Sequence, residues 1–316
     1  MRKEFLIEIG EPSQYNYICG RIKVLESFLL SSSDIERITL GDIGDVKTVL
    51  MDTPYKNFIK GERFSDISVA VFRRFNAELV DVEKYVSQGF INAFFRNKEI
   101  FLEIKKWALL GELQSENKLY EELYKFVNGG SGDFPVLFRE AYLRMLSFKA
   151  NPLSVGTILD IYRIKYLTKS AEQTGSTLIC KYYNSYGESS VENVLSRLKG
   201  FSESGIIDDK SLVSMLRIMS EMLPGYNLSR EVSEVRDIEE FKNFVNSRIN
   251  EKNFTNSNKR LLSILDSGKY FNSGVEVVFV YLKRLQLEVS TISMILSGKM
   301  TGMKNEDIRE RVSLAL

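Results

Sequence analysis

Residues 281–298 read YLKRLQLEVSTISMILSG. Leu282, Leu285, Val289, Ile292 and Leu296 fall at alternating steps of three and four, so they share one narrow face of an α-helix that Ser297-Gly298 closes. Such a seam needs an apolar partner, and the same periodicity recurs outward along the chain. Leu212, Leu216, Met219 and Leu223 step by four, three and four before Pro224-Gly225, and Ile238, Phe241, Val245 and Ile249 form another stripe after Ser229. Toward the amino terminus, Ser13 is the expected N-cap of a helix carrying Ile18, Ile22, Leu25 and Leu29 and ending near Ser31-Ser32-Ser33. A second helix is expected from Asp42 to Met51, with Val46, Val49 and Leu50 inward, and Asp52-Thr53-Pro54 ends it.

The interval from Phe64 to Phe126 holds two or three helices, because Phe90, Ala93, Phe94, Phe101, Ile104 and Ala108 recur at helical spacing. Asn128-Gly129-Gly130-Ser131-Gly132-Asp133 reads as a loop and the best internal linker; the helix after it stops at Asn151-Pro152. Ser154 to Leu167 is helical, and Tyr183-Asn184-Ser185-Tyr186-Gly187 is expected to interrupt the chain before a helix from Ser189 to Lys199. Asn305 caps a last helix through Ile308 and Val312. The alternation of Phe5, Ile7 and Ile9 is the one strand-like pattern and too short to change the class, which is all-α. Three helices close on Gly111, Gly200 and Gly298, 89 and 98 residues apart, which divides the chain into three similar helical domains, 1–111, 112–205 and 206–316.

Composition restricts the chemistry. The chain has 316 residues, 43 Lys plus Arg against 42 Asp plus Glu, and no histidine. Charge balance removes the basic excess expected of a nucleic-acid-binding surface, and the absence of imidazole removes Ser-His and Cys-His catalysis. Cys19 and Cys180 lack any zinc or dithiol spacing and read as small buried hydrophobes. No stretch approaches the ~18 uninterrupted apolar residues of a membrane span, and Glu4 and Glu8 break any secretion signal, so a cytosolic chain is expected.

Ser267-Gly268-Lys269 and Ser297-Gly298-Lys299 lack the earlier glycine and the hydroxyl of a phosphate loop. Asp208-Asp209-Lys210 lacks the third acid of a magnesium-diphosphate motif, and one of its acids reads as a helix N-cap. Asp160 has no partner in sequence that would make it catalytic; a hydrogen-bonding or surface role is expected. No catalytic, cofactor or metal residue is assigned, and the expected work is contact with other proteins.

Three regions carry longer patterns that no single helix explains. The first is Tyr17-Ile18-Cys19-Gly20-Arg21-Ile22-Lys23-Val24-Leu25-Glu26-Ser27-Phe28-Leu29-Leu30, followed by Leu50, Thr53 and Tyr55. The second joins Leu159-Asp160-Ile161-Tyr162 through Tyr166-Leu167 with Glu192-Asn193-Val194 through Arg197. The third is Tyr281-Leu282-Lys283, Glu288-Val289 and the tail Ile295-Leu296-Ser297-Gly298-Lys299-Met300-Thr301-Gly302-Met303. Together these regions resemble the C-subunit family of the V-type (A-type) rotary ATPases, whose eukaryotic members are the d subunits; Ser293 stands where that family commonly has arginine, and Ser189-Ser190 where an acid is expected.

The resemblance implies three helical domains arranged as a funnel or socket. One side would receive the shaft made of rotor subunits D and F, and the other would rest on the membrane proteolipid ring, without catalysis and without a membrane span. It places the chain in the cytoplasm, peripheral to the membrane, coupling ATP hydrolysis or synthesis to proton or sodium transport. Tyr17, Arg21, Glu288 and Lys299 flank the terminal apolar seams and are candidate partner contacts, with helix-end packing and solvated charge as the alternative readings. An α-solenoid adaptor for unrelated partners is the rival reading; a magnesium-dependent helical lyase or transferase lacks the acidic pairs it would need.

Overall fold

The stripe at 282–296 lies within a helix of 26 residues, Val275–Met300, and Leu282, Leu285, Val289, Ile292 and Leu296 are all buried. In a computed structural model of the chain, every residue is described except 1, 62, 114–116, 250 and 316, together with the side chains of 12, 251–257 and 313–315. The described residues form helices and connecting turns with no strand among them. In order, α1 is Asn16–Glu26, α2 Ser32–Leu40, α3 Ile43–Met51 and α4 Phe64–Val82. The short α5, Gln88–Ile91, passes through a π turn, Asn92–Arg96, into α6, Asn97–Leu110. Then follow α7 Lys118–Val127, α8 Val136–Ser147, α9 Pro152–Gln173, α10 Thr177–Glu203 and α11 Asp209–Met222. The rest are α12 Asn227–Glu231, α13 Ile238–Arg248, α14 Glu251–Ser267, α15 Val275–Met300 and α16 Asn305–Ala315.

The chain divides into two compact units, one of residues 1–8 and 87–257 and the other of residues 9–86 and 258–316. The second is built from both ends of the sequence. Its centre is α15, packed by α4 and α1, with α16 against α15 and α2, and α2 against α3. Five seam side chains at about 1.5–3 kcal/mol each for full burial make α15 the main apolar contributor there. Gly298 lets α16 fold back: a Cβ there would stand 2.8 Å from Ile308 Cγ1. Both α2 and α3 begin with reciprocal capping boxes, Ser31 with Asp34 and Asp42 with Asp45, so their first-turn N–H groups are satisfied locally.

In the first unit α9 is central, contacted by α6, α8, α10 and α11, and it buries residues around its whole circumference, from Val155 to Ala171. Next to it lies an aromatic cluster: Phe138 has its ring 5.1 Å from Tyr166, 5.5 Å from Phe101 and 5.3 Å from Phe5. Phe5 comes from the strand-like segment, which instead holds a 3-10 turn at Lys3–Phe5.

Several expectations are corrected; the helix expected over Ser154 to Leu167, for one, spans Pro152–Gln173. Helix α1 starts and ends inside its expected bounds: Pro12–Tyr15 is a 3-10 turn, and Leu30 donates its N–H to Glu288 at 2.6 Å instead of to a helical carbonyl. Segment 183–187 does not interrupt the chain, because α10 runs unbroken over 27 residues and buries Ser185, Gly187 and Ser189. The small residues there make room for a neighbour: a Cβ on Gly187 would lie 2.0 Å from the Tyr226 hydroxyl. Of the two cysteines, Cys19 is buried and Cys180 only partly.

Left-handed glycines follow α6, α7, α9, α10 and α15 at Gly111, Gly129, Gly175, Gly205 and Gly302, whereas Gly200 and Gly298, expected to close helices, lie within them. Gly205 and Gly302 belong to one motif, in which Ile206 and Met303 donate back to Phe201 and Gly298 carbonyls.

Two glycines in one helix therefore respond oppositely to the same substitution. Gly200→Ala, with nothing within 4 Å of its Cβ, gains helix propensity and raises stability by about 0.5–1 kcal/mol. Gly187→Ala must displace Tyr226 and lowers stability by about 1–3 kcal/mol. Urea unfolding followed by far-ultraviolet circular dichroism separates the two, and equal shifts would show that Tyr226 does not pack on Gly187.

Candidate functional site

The chemistry that distinguishes the unit made from the two chain ends is a buried charge cluster between α4 and α15. Along α4 the inward face runs Ile67, Ala70, Val71, Arg74, Phe75, so a guanidinium sits where a hydrophobe belongs, at 0% exposure. The facing stripe of α15 carries Glu288 between Leu285 and Val289. Arg74 Nη1 lies 3.3 Å from Glu288 Oε1, and the guanidinium stacks 4.1 Å from the centre of the Tyr55 ring. Tyr55 donates its hydroxyl to the same carboxylate oxygen at 2.7 Å, and the Leu30 N–H donates to Oε2.

Glu288 therefore ties four segments together: the chain after α1, the 3-10 turn Pro54–Asn57, α4 and α15. Burial pushes its carboxyl above the ordinary value, while the Leu30 N–H, the Tyr55 hydroxyl and Arg74 pull it back. Glu78, one turn along α4 from Arg74, is likewise raised by burial and lowered by Arg74 and Arg21. Tyr55 and Tyr281 are held neutral by burial and by the neighbouring carboxylates.

The four candidate contact residues all fall in this unit but differ in surroundings. Glu288 is buried and bonded within the chain. Lys299 donates its ammonium to the carbonyls of Thr39, at 2.8 Å, and Gly41, while the Asn305 amide takes the Leu40 carbonyl at 2.8 Å. The Gly298-Lys299 segment thus closes the C-terminus of α2, where exposed carbonyls attract a cation. Arg21 pairs with Asp81 at 2.6 Å. Tyr17 keeps 65% exposure, its ring 5.3 Å from Tyr85. Helix-end packing therefore describes Lys299 and core packing Glu288, while Tyr17 and Arg21 are exposed.

Sequence reasoning missed Arg74. The signal was available: one cation inside the apolar stripe of α4 and one acid inside that of α15 are each costly alone and compatible only as partners. Among the described residues there is no group of three or more His, Cys, Asp or Glu side chains placed to hold a metal ion. No helix of the described residues is long and apolar enough to cross a membrane.

Removing the cation should expose the linkage. A carboxyl whose folded pKa exceeds the ordinary 4.5 stabilises the fold fully below that value, and the contribution is lost as pH rises through the folded value. Arg74→Met leaves Glu288 without its cation and raises that folded value further. The variant should lose about 3–5 kcal/mol at neutral pH and recover part of it near pH 5, in urea unfolding measured across pH. A loss independent of pH would mean that Arg74 acts by packing alone.

Residues 98–311 match the model of the ATP synthase (C/AC39) subunit family, a span that runs through both compact units. A search of the curated proteins found no match. With more than half of its length matched, and with an all-helical fold, the chain belongs to the ATP synthase (C/AC39) subunit family, the V-type family that its terminal and central segments resemble.

Proposed function

We propose that this chain is the non-catalytic central-stalk rotor subunit of a V/A-type rotary ATPase, peripheral to the membrane on its cytoplasmic side. It joins the shaft of subunits D and F to the proteolipid ring, so that ATP hydrolysis or synthesis is linked to proton or sodium transport. The observation that carries this reading is the family match over residues 98–311. The three-domain socket, with modules near 1–111, 112–205 and 206–316, belongs to the same proposal. It is supported by the resemblance of residues 17–30, 159–167 and 281–303 to that family.

A part that transmits torque must not yield within itself and must grip its neighbours over a large area, on the order of 2,000 Å² or more for permanent complexes. The cross-braced unit around Glu288 supplies stiffness of that kind. Tyr17, Val24 and Phe28 are 65%, 61% and 41% exposed, on α1 and just beyond its end. That stripe, with Arg21 beside it, supports a partner contact on this helix, while Glu288 and Lys299 act from within by holding the helices that would present it.

Co-purification tests the proposal. The chain should retain a D–F complex and, in a separate binding reaction, detergent-solubilised proteolipid ring, and with all components present it should bridge them into one species. Failure to bind either partner rejects the rotor assignment.

A further inference from the structure

Two segments that lie far apart in sequence, Leu159-Asp160-Ile161-Tyr162 and Glu192-Asn193-Val194 through Arg197, meet across the α9–α10 pair. Arg197 Nη2 donates to Asp160 Oδ2 at 2.7 Å. Arg163 donates to the Tyr186 hydroxyl oxygen, and its Nη1 stands 4.0 Å from Asp160 Oδ1. On α10, Tyr186, Ser190, Asn193 and Arg197 follow at steps of four, three and four, so they share one face. With Asp160 and Arg163 they line a cavity of about 160 Å³, smaller than the roughly 300 Å³ at which pockets for drug-sized ligands begin.

The donor balance of this cavity is lopsided. Two guanidiniums, each with five N–H donors, face one carboxylate, which is too far from Arg163 for a hydrogen bond. Tyr186 accepts from Arg163, so its own O–H remains a donor, and the Asn193 amide and Ser190 hydroxyl add donors at the rim. A purely structural ion pair between two helices needs one cation per acid. Here a second cation and several neutral donors surround a polar cavity open to solvent, with room for an oxyanion.

We propose that this cavity is an oxyanion-binding site, taking a group no larger than a carboxylate or phosphate, with Arg163, Arg197 and Tyr186 as its donors and Asp160 as a built-in competitor that holds it open and weak. The group could arrive as a free anion or as the side chain of an acidic protein segment, and the chemistry of recognition is the same. The proposal does not rest on the rotary reading, since it concerns only residues of α9 and α10.

The test titrates the full chain, at constant ionic strength and with chloride as control, with inorganic phosphate and separately with N-acetyl-glutamate amide. The arginine Nε–Hε signals are followed by NMR. Saturable shifts are expected with at least one probe. Asp160→Asn should tighten binding about tenfold by removing the competitor, and Arg197→Met should weaken it about tenfold or more. Tighter binding of phosphate assigns the site to a free anion, and tighter binding of the glutamate derivative assigns it to a protein side chain. Arg197 is 39% exposed, so its variant is expected to fold. Should its circular dichroism change, Asn193→Leu serves in its place, with a smaller loss of affinity. A response equal to that of chloride in both wild type and Asp160→Asn would overturn the proposal and leave the cluster as a helix-to-helix ion pair.

Discussion

A carboxylate in an apolar core is tolerated only where donors replace the water it has lost, and Glu288 meets that condition by drawing three segments onto α15. The Leu30 N–H, the Tyr55 hydroxyl and the Arg74 guanidinium all converge on it. Each comes from a stretch that hydrophobic contact alone would leave free to slide, because an apolar face has no preferred register along a neighbouring helix. The charge cluster supplies directionality, and the seam of Leu285, Val289 and Ile292 supplies burial. Lys299 repeats the device one end further along, fixing the C-terminus of α2 by its carbonyls. The unit formed by the two chain ends is thus pinned at two points of one long helix.

The other unit obtains its order by different means. It relies on shape: α9 is buried around its circumference, and rings from Phe5, Phe101, Phe138 and Tyr166 meet at edge-on and tilted angles. Where α10 must accept a neighbour at close range, Ser185, Gly187 and Ser189 replace bulk with space, and the Tyr226 hydroxyl enters it to bond with Thr168 at 2.9 Å. Such packing resists deformation because interiors at crystal-like density have little room to shift. The residues matched by the ATP synthase (C/AC39) subunit family run through both units.

Much of this was legible in the residues. Val46, Val49 and Leu50, an aspartate cap at 208 or 209, and the seam at 282–296 are local patterns, since a helix's inward face and first-turn donors depend on residues within a few positions of one another. The site was legible only in part. Glu288 and Lys299 stood out beside the terminal seams, but their partners, Arg74, Tyr55 and the carbonyls at 39 and 41, lie more than 200 residues away. Asp160 and Arg197 likewise looked unremarkable until two helices set them 2.7 Å apart.

The sequence by itself determined the helical class, the inward faces of the helices it resolved and a few helix ends, such as those at Met51 and before Pro224, because those follow from periodicity and the conformational limits of proline and glycine. It also determined the absence of imidazole chemistry, which is a matter of composition. Only the tertiary structure decided that residues 9–86 and 258–316 share one core, that a polar run rich in serine and glycine continues a helix, and which buried charge answers which. These depend on contacts between distant segments, where the cost of an unpaired charge or an occupied space is set by the neighbour and not by the residue that carries it.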